Sequence, residues 1–226
     1  MTAQVLFFGR KKCELTMLAI KYLQILGCDI TTVLSEKRGE KLDEELMWWK
    51  GDFIVAFRSH LILPEALIKR AQQCAVNFHP GSTEYPGTGC ANFALYEDSE
   101  MFGVTAHCMT KRVDAGEILG TKRFNVHDND TVDSLLERTH IHLLSLFYDV
   151  AFDLITNGSD AVERRLNENK DRVWSKVKRT AADLDALQVL TGNETVEETK
   201  RTIRATHTEN FPTELTFNGQ RFLLKK

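Results

Sequence analysis

Positive charge is not in excess in this chain. Its 226 residues carry 29 Lys and Arg against 32 Asp and Glu, a formal net charge of −3. General nucleic-acid and membrane-surface binders need surplus cations, so this balance argues against both partners. Long hydrophobic runs are missing as well. The apolar stretch "QVLFFG" (4–9) is too short for a signal peptide or a membrane span, and no cationic flank precedes it, so it reads as a buried strand. Metal-binding spacings are absent. The five cysteines, Cys13, Cys28, Cys74, Cys90 and Cys108, form no CxxC pair, and no zinc-type set of Cys and His appears, so no metal is expected. They read as reduced, mostly buried thiols of a cytoplasmic protein, where the sequons at Asn157 and Asn193 stay unused. Proline is scarce. Of only four, Pro80 and Pro86 both fall in "NFHPGSTEYPGTG" (77–89).

What is present is 42% hydrophobic and 27% charged, the composition of an ordinary globular domain or of a domain with a small appendage. Short apolar segments alternate with helical periodicity: strands at 4–9, 28–35, 52–57 and 74–79, helices at 13–27 and 63–73. Strands with uniformly apolar centres predict a mostly parallel sheet covered on both faces, an α/β Rossmann-like fold. A helix is expected at 90–99, a strand at 102–109, and a long helix at 128–155 capped by Asp130 or Thr131. The polar segment that follows suggests a boundary, dividing the chain into 1–160 and a C-terminal extension, 161–226. The extension reads as two short helices and a β-hairpin turning at Asn218-Gly219, where both central residues need positive φ.

Ligands of such sheets sit beyond the C-terminal strand ends, and "NFHPG" lies at one of them. Asn77 and His79 are two apart on one strand and so point the same way. Pro80 then ends the strand and Gly81 permits a turn. Asp114, in the loop after the next strand, can meet His79 from a neighbouring strand end. An amide donor, an imidazole and a carboxylate fit acyl transfer to an amine, which needs oxyanion donors, a base and a group that orients the base. "GTGCAN" is no dinucleotide-binding loop, because it lacks the third small residue and follows a loop.

Taken in order, "NFHPG", "GVTAH" and "DAGEI" resemble the folate-dependent formyltransferase family, in detail from about residue 50 to 120. The resemblance implies 10-formyltetrahydrofolate as co-substrate, Asn77, His79 and Asp114 as catalytic residues, and a donor pterin held by Leu61, Ile62, Leu63, Lys111, Arg112 and Val113. It places the acceptor's phosphates at Gly9, Arg10, Lys11 and Lys12, a cationic turn before a helix N-terminus. His107 is expected to be structural, and His140 and His142 to be surface or core polar residues.

The loop after His79 is closer to bacterial nucleotide-linked amino-sugar formyltransferases than to glycinamide ribonucleotide formyltransferases. An amino deoxysugar on dTDP or GDP is therefore the implied acceptor, with Tyr85, Gly89 and Phe93 at its rim. The extension has no strong basic excess, which disfavours tRNA, and a regulatory domain of the hydrolase kind is not expected. Glycinamide ribonucleotide formylation and a non-catalytic folate- or nucleotide-binding relative stay open as alternatives. The resemblance also implies a homodimer formed through the C-terminal elements.

Overall fold

Parallel and antiparallel strands share the central sheet of the computed structural model, which describes residues 2–225. The strands are β1 (Gln4–Arg10), β2 (Asp29–Ser35), β3 (Gly51–Phe57), β4 (Ala71–His79), β5 (Met101–Cys108) and β6 (Ile118–Asn125), in the order β2-β1-β3-β4-β5-β6. The pairs β2–β1, β1–β3 and β3–β4 are parallel, whereas β4–β5 and β5–β6 are antiparallel. The fold is the expected α/β Rossmann-like one.

Alternate residues of the same strands serve two cores. Phe7, Phe57 and Phe78 point to one face, where their rings lie 6.4, 5.1 and 5.0 Å from Phe147 of a long helix, α4 (Val132–Glu168). Edge-on pairs of this kind add about 0.5–1.5 kcal/mol each beyond area burial. Leu6, Phe8, Ile54 and Ala56 point to the other face, against Leu63 and Leu67. Burial on both faces is why the strand centres are uniformly apolar. Helix α1 (Glu14–Ile25) adds Ala19, Ile20 and Leu23 to the first core.

Several local expectations give way to tertiary pairing. The helix expected at 63–73 is one turn only, α2 (Glu65–Ile68), because β4 begins at Ala71 and pairs with Gly51 of β3. The charged segment before β3 holds only a 3-10 turn at Glu44–Trp48. Helix α3 (Cys90–Tyr96) ends early, and β6 forms where no strand was expected. Thr131 caps α4 in a capping box with Ser134.

The division expected at 160/161 falls inside α4. That helix kinks at Gly158 (φ 58°, ψ −135°) and its second limb folds back, burying Ala161 in the first core. Asp153 fastens the two limbs by accepting from Arg164 and Arg165 at 2.5 Å. Burial alone would raise the Asp153 carboxyl, but the bonds from Arg164, Asn157 and Arg165 hold it down to about 2.

The rest of the extension forms α5 (Ala181–Leu187), β7 (Val189–Leu190), α6 (Val196–Thr206), β8 (Glu214–Phe217) and β9 (Gln220–Leu223). Ala205 of α6 joins a third core with Tyr85, Phe93, Phe102 and Leu135. The hairpin turns at Asn218 and Gly219, with φ of 47° and 74°, and pairs with β7 rather than standing alone. Its Phe217, Phe222 and Leu223 remain about half exposed. No helix among the described residues is long and apolar enough to cross a membrane.

Candidate active site

The strand register delivers the polar residues to one edge of the sheet. Phe8, Ala56 and Asn77 lie side by side in β1, β3 and β4, so Arg10, Arg58 and His79 follow two residues on, at the C-terminal ends of adjacent strands. At a strand spacing of about 4.8 Å, Arg10 and His79 stand about 10 Å apart in the sheet direction.

Asn77, His79 and Asp114 do come together, and His107 of β5 completes the group. Asn77 and His107 are direct cross-strand partners. Asp114 Oδ1 lies 3.4 Å from His79 Nδ1 and 3.5 Å from His107 Nε2. All three side chains are buried: His107 is 2% exposed, His79 4% and Asp114 5%. Asp114 holds a positive φ of 48°, a conformation Asp tolerates better than most residues, and its Oδ2 accepts from Gly87 N at 2.9 Å. Gly81 must be glycine to let the turn close on His79, since a Cβ there would sit 2.6 Å from His79 Nε2.

Carbonyl neighbours fix both imidazole tautomers. Tyr85 O lies 3.1 Å from His79 Nε2 and can only accept, so Nε2 carries the proton and Nδ1 presents a lone pair toward Asp114. Cys108 O lies 2.9 Å from His107 Nδ1, so His107 Nε2 is likewise the bare nitrogen. It accepts from Asn77 Nδ2 at 3.1 Å, which sets the Asn77 amide and leaves its second N–H unused.

Burial dominates the electrostatics of the cluster. Burial pushes the His79 pKa below its ordinary value, and Asp114 only partly opposes that shift, so the ring is neutral at pH 7. Burial works against ionisation of Asp114, but His79 and His107, when they carry a proton toward it, and the Gly87 N–H outweigh burial and bring the carboxyl to about 2. With both rings neutral, the carboxylate and the two imidazole nitrogens at 3.4–3.5 Å repel one another until a proton lies between them, so the pocket suits a group that brings protons, such as an amine.

The expected phosphate turn lines an open cavity of about 420 Å³ bounded by Arg10, Lys11, Lys12, Cys13, Glu14, Leu15 and Arg58. Gly9 O accepts from Ser35 Oγ at 3.3 Å, and Arg10 Nε donates to Arg58 O at 2.7 Å. Arg58, missed in the sequence, turns its backbone to φ 55° where β3 ends, and its buried Nε has no partner. Burial, then the neighbouring Arg58, lowers the Arg10 pKa. Burial, then Arg58 and Arg10, holds His140 of α4 down to about 4, so His140 borders this cluster as a neutral ring. An anion would relieve the repulsion between the two arginines.

The rim differs from the expectation. Tyr85 and Phe93 do not offer free faces to a ligand: both are buried in the third core, and the Arg179 guanidinium covers Phe93 at 4.6 Å. Gly89 is walled in by Phe93 and Leu184. On the donor side Ile62 is exposed and Leu63 buried, Leu61 packs against the same core as Leu63, and Lys111, Arg112 and Val113 form an exposed turn before Asp114. Among the described residues no group of three or more His, Cys, Asp or Glu could hold a metal ion.

The profile of the family described as Formyl transferase matches residues 11–150. The chain belongs to the formyl transferase family. A methionyl-tRNA formyltransferase of Lactobacillus gasseri is 30% identical over 131 residues, 57% of this chain and 40% of that protein. The chain thus spans about half the length of the curated relatives it matches, 40%, 47% and 58% for three of them. Among solved structures, a sugar N-formyltransferase from a Shewanella species superposes with a TM-score of 0.73 at 18% identity, covering 99% of this chain and 97% of that one. An N-formyltransferase from Helicobacter canadensis, solved with folinic acid and dTDP-3-aminofucose, gives a TM-score of 0.68 at 14% identity, covering 97% and 85%. At such identities the structural likeness establishes the formyltransferase fold.

Proposed function

We propose that the chain moves the formyl group of 10-formyltetrahydrofolate to the amine of a nucleotide-linked (dTDP or GDP) amino deoxysugar, in the cytoplasm, for surface polysaccharide synthesis. One observation carries this reading. A buried proton acceptor, His79 Nδ1 beside ionised Asp114, shares a sheet edge with a cavity whose Arg10 and Arg58 have no carboxylate partner among the described residues. That pairing suits an amine joined through a sugar ring to a diphosphate. The neutral amine attacks the formyl carbon. The free Asn77 N–H stabilises the oxyanion, and His79 Nδ1, with Asp114 beside it, takes the proton that the amine loses. N10 of the folate leaves with a proton. The pterin is assigned to Leu61, Ile62, Leu63 and the Lys111–Val113 turn, and the acceptor's phosphates to Gly9–Lys12 together with Arg58.

The test is a panel of dTDP-, GDP- and UDP-linked amino deoxyhexoses with 10-formyltetrahydrofolate, competed against glycinamide ribonucleotide and methionyl-tRNA. Formylated sugar nucleotide is the expected product by mass spectrometry. Preference for either competitor over every sugar would overturn the acceptor assignment. Folate binding without turnover on any acceptor would favour a non-catalytic relative. A homodimer through the extension is part of the same proposal, supported by the half-exposed Phe217, Phe222 and Leu223. Light scattering should then give twice 25.8 kDa at micromolar protein, and a monomer mass would remove it.

A further inference from the structure

Beyond α4 the chain returns over the catalytic cluster without regular secondary structure, from Trp174 to Arg179. It is tied to both loops that carry the machinery. On one side Ser175 N donates to Thr83 O at 2.8 Å, Thr88 N to Arg179 O at 2.9 Å and Arg179 N to Pro86 O at 3.3 Å. On the other, Trp174 Nε1 donates to Gly116 O at 2.7 Å and Lys178 Nζ donates to Val113 O. The Arg179 guanidinium lies over Phe93 and pairs with Glu97 at 3.0 Å. Gly87, at φ 98°, lets this segment sit close, since a Cβ there would be 2.1 Å from Arg179 O. The Trp174 indole stands edge-on to both imidazoles, its centroid 5.6 Å from that of His79 and 5.0 Å from that of His107, at 76° and 86°.

We propose that Trp174 is a positioning residue for formyl transfer: the strap holds its indole across the two imidazoles, keeps bulk water from His79 and Asp114, and so directs the formyl group to an amine rather than to water. The proposal rests on the formyl-transfer reading above. The cluster cannot itself tell the two nucleophiles apart. A water in the amine's place would give its proton to the same His79 Nδ1, its oxygen would bond to the formyl carbon, and the bond to N10 would break. The products would be formate and tetrahydrofolate, with N10 taking a proton. Exclusion of water is then what keeps the donor for the acceptor. The groups facing His79 are Asp114 and His107, Cys90 Sγ at 3.5 Å from Nε2, and Lys178 of the strap. Burial is the largest influence on the ring, and the indole supplies part of that burial.

The experiment compares wild type with Trp174→Ala and Trp174→Phe. Two quantities are read: formate released per amine formylated, and the titration of the His79 ring by NMR, assigned by its loss in His79→Gln. In Trp174→Ala the formate fraction should rise severalfold and the His79 titration should move up toward the ordinary histidine value. Trp174→Phe, which keeps an aromatic cover but not the bond to Gly116, should retain most of both wild-type values. If Trp174→Ala does not fold, Arg179→Ala loosens the strap from Glu97 and Phe93 and should shift both quantities the same way. An unchanged formate fraction with an unchanged His79 titration would overturn the proposal. Absence of any formyl transfer by wild type would sink the functional reading instead. The ring titration would then decide the strap by itself, a rise in Trp174→Ala supporting the seal and no change refuting it.

Discussion

Two clusters share the C-terminal edge of the sheet, and they are built on opposite terms. Around His79 and Asp114 every imidazole nitrogen faces an internal neighbour and nearly all surface is lost. Around Arg10 and Arg58, at the ends of the neighbouring strands β1 and β3, the space is open and the cations repel one another. A group that must exchange a proton gains from burial, because the charge states of its neighbours are then fixed in advance. A site that must capture and release a large anion gains from openness and uncompensated charge. Under the proposed function, the contrast gives chemistry to one cluster and affinity to the other.

The largest effect should come from the buried cluster. His79→Ala or Asn77→Ala should lower kcat by roughly a hundredfold or more, as for other acid–base groups and oxyanion donors, with the circular dichroism spectrum of wild type. Turnover near wild type in purified His79→Ala would break the assignment of chemistry to this edge.

The next effect belongs to the open cluster. Losing one charge-assisted contact is worth about 1.5–3 kcal/mol, so Arg58→Ala should raise the acceptor's KM by about tenfold to a hundredfold. The folate KM and kcat should change little. An equal rise for both substrates, or a fall in kcat alone, would show that the clusters are not separable.

The smallest effect lies in pH. His79 must be neutral to accept a proton, and burial sets its pKa below the ordinary value of about 6.5, so the acid limb of kcat/KM should fall below pH 6.5 rather than on it. Stability follows the same sign. The unfolded state binds more protons than the buried rings of His79 and His140 as pH drops below about 6.5, so stability declines there. Asp114, at about 2 when folded, contributes stability that is present above about pH 4 and lost as pH falls toward 2. Denaturant unfolding in Asp114→Asn should show a flatter pH dependence across that lower window. A slope as steep as in wild type would mean that other carboxylates govern it.

The two clusters were also unequally legible. Asn77 and His79 announce themselves through the Pro80 that ends their strand, and Asp114 through the loop that follows the next one. His107 was marked only as the last residue of "GVTAH" and was expected to be structural. Its role comes from β5 running antiparallel beside β4, which sets it opposite Asn77, and a sequence does not state that pairing. Arg58 could have been suspected, because it closes an apolar strand just as Arg10 does, but its partnerless Nε is a product of packing. The apolar strands of the sheet were plain because burial on both faces leaves a continuous signature. Helix α2 and strand β6 were not. The first is cut short by pairing that begins at Ala71, and the second is held in place by its neighbour β5. Tyr85, in a loop, and Phe93, on α3, misled for the same reason: an aromatic next to a site can turn inward, and here a third core takes both.

The kink of α4 sets a length. From Gly158 the second limb runs helically to Glu168, fixed to the first limb through Asp153 and to the core through Ala161, and only four residues separate its C-cap, Asn169, from the Trp174–Arg179 strap. A helix converts each added residue into about 1.5 Å of advance and a rotation of about 100°. One residue inserted between Gly158 and Glu168 would therefore swing the following chain away from the imidazoles. The same insertion in the exposed turn at 191–195 would change only a surface bend. Among chains sharing this arrangement, length should be free to vary in that turn and constant between the kink and the tryptophan, so that this limb acts as a ruler laid from the sheet to the site.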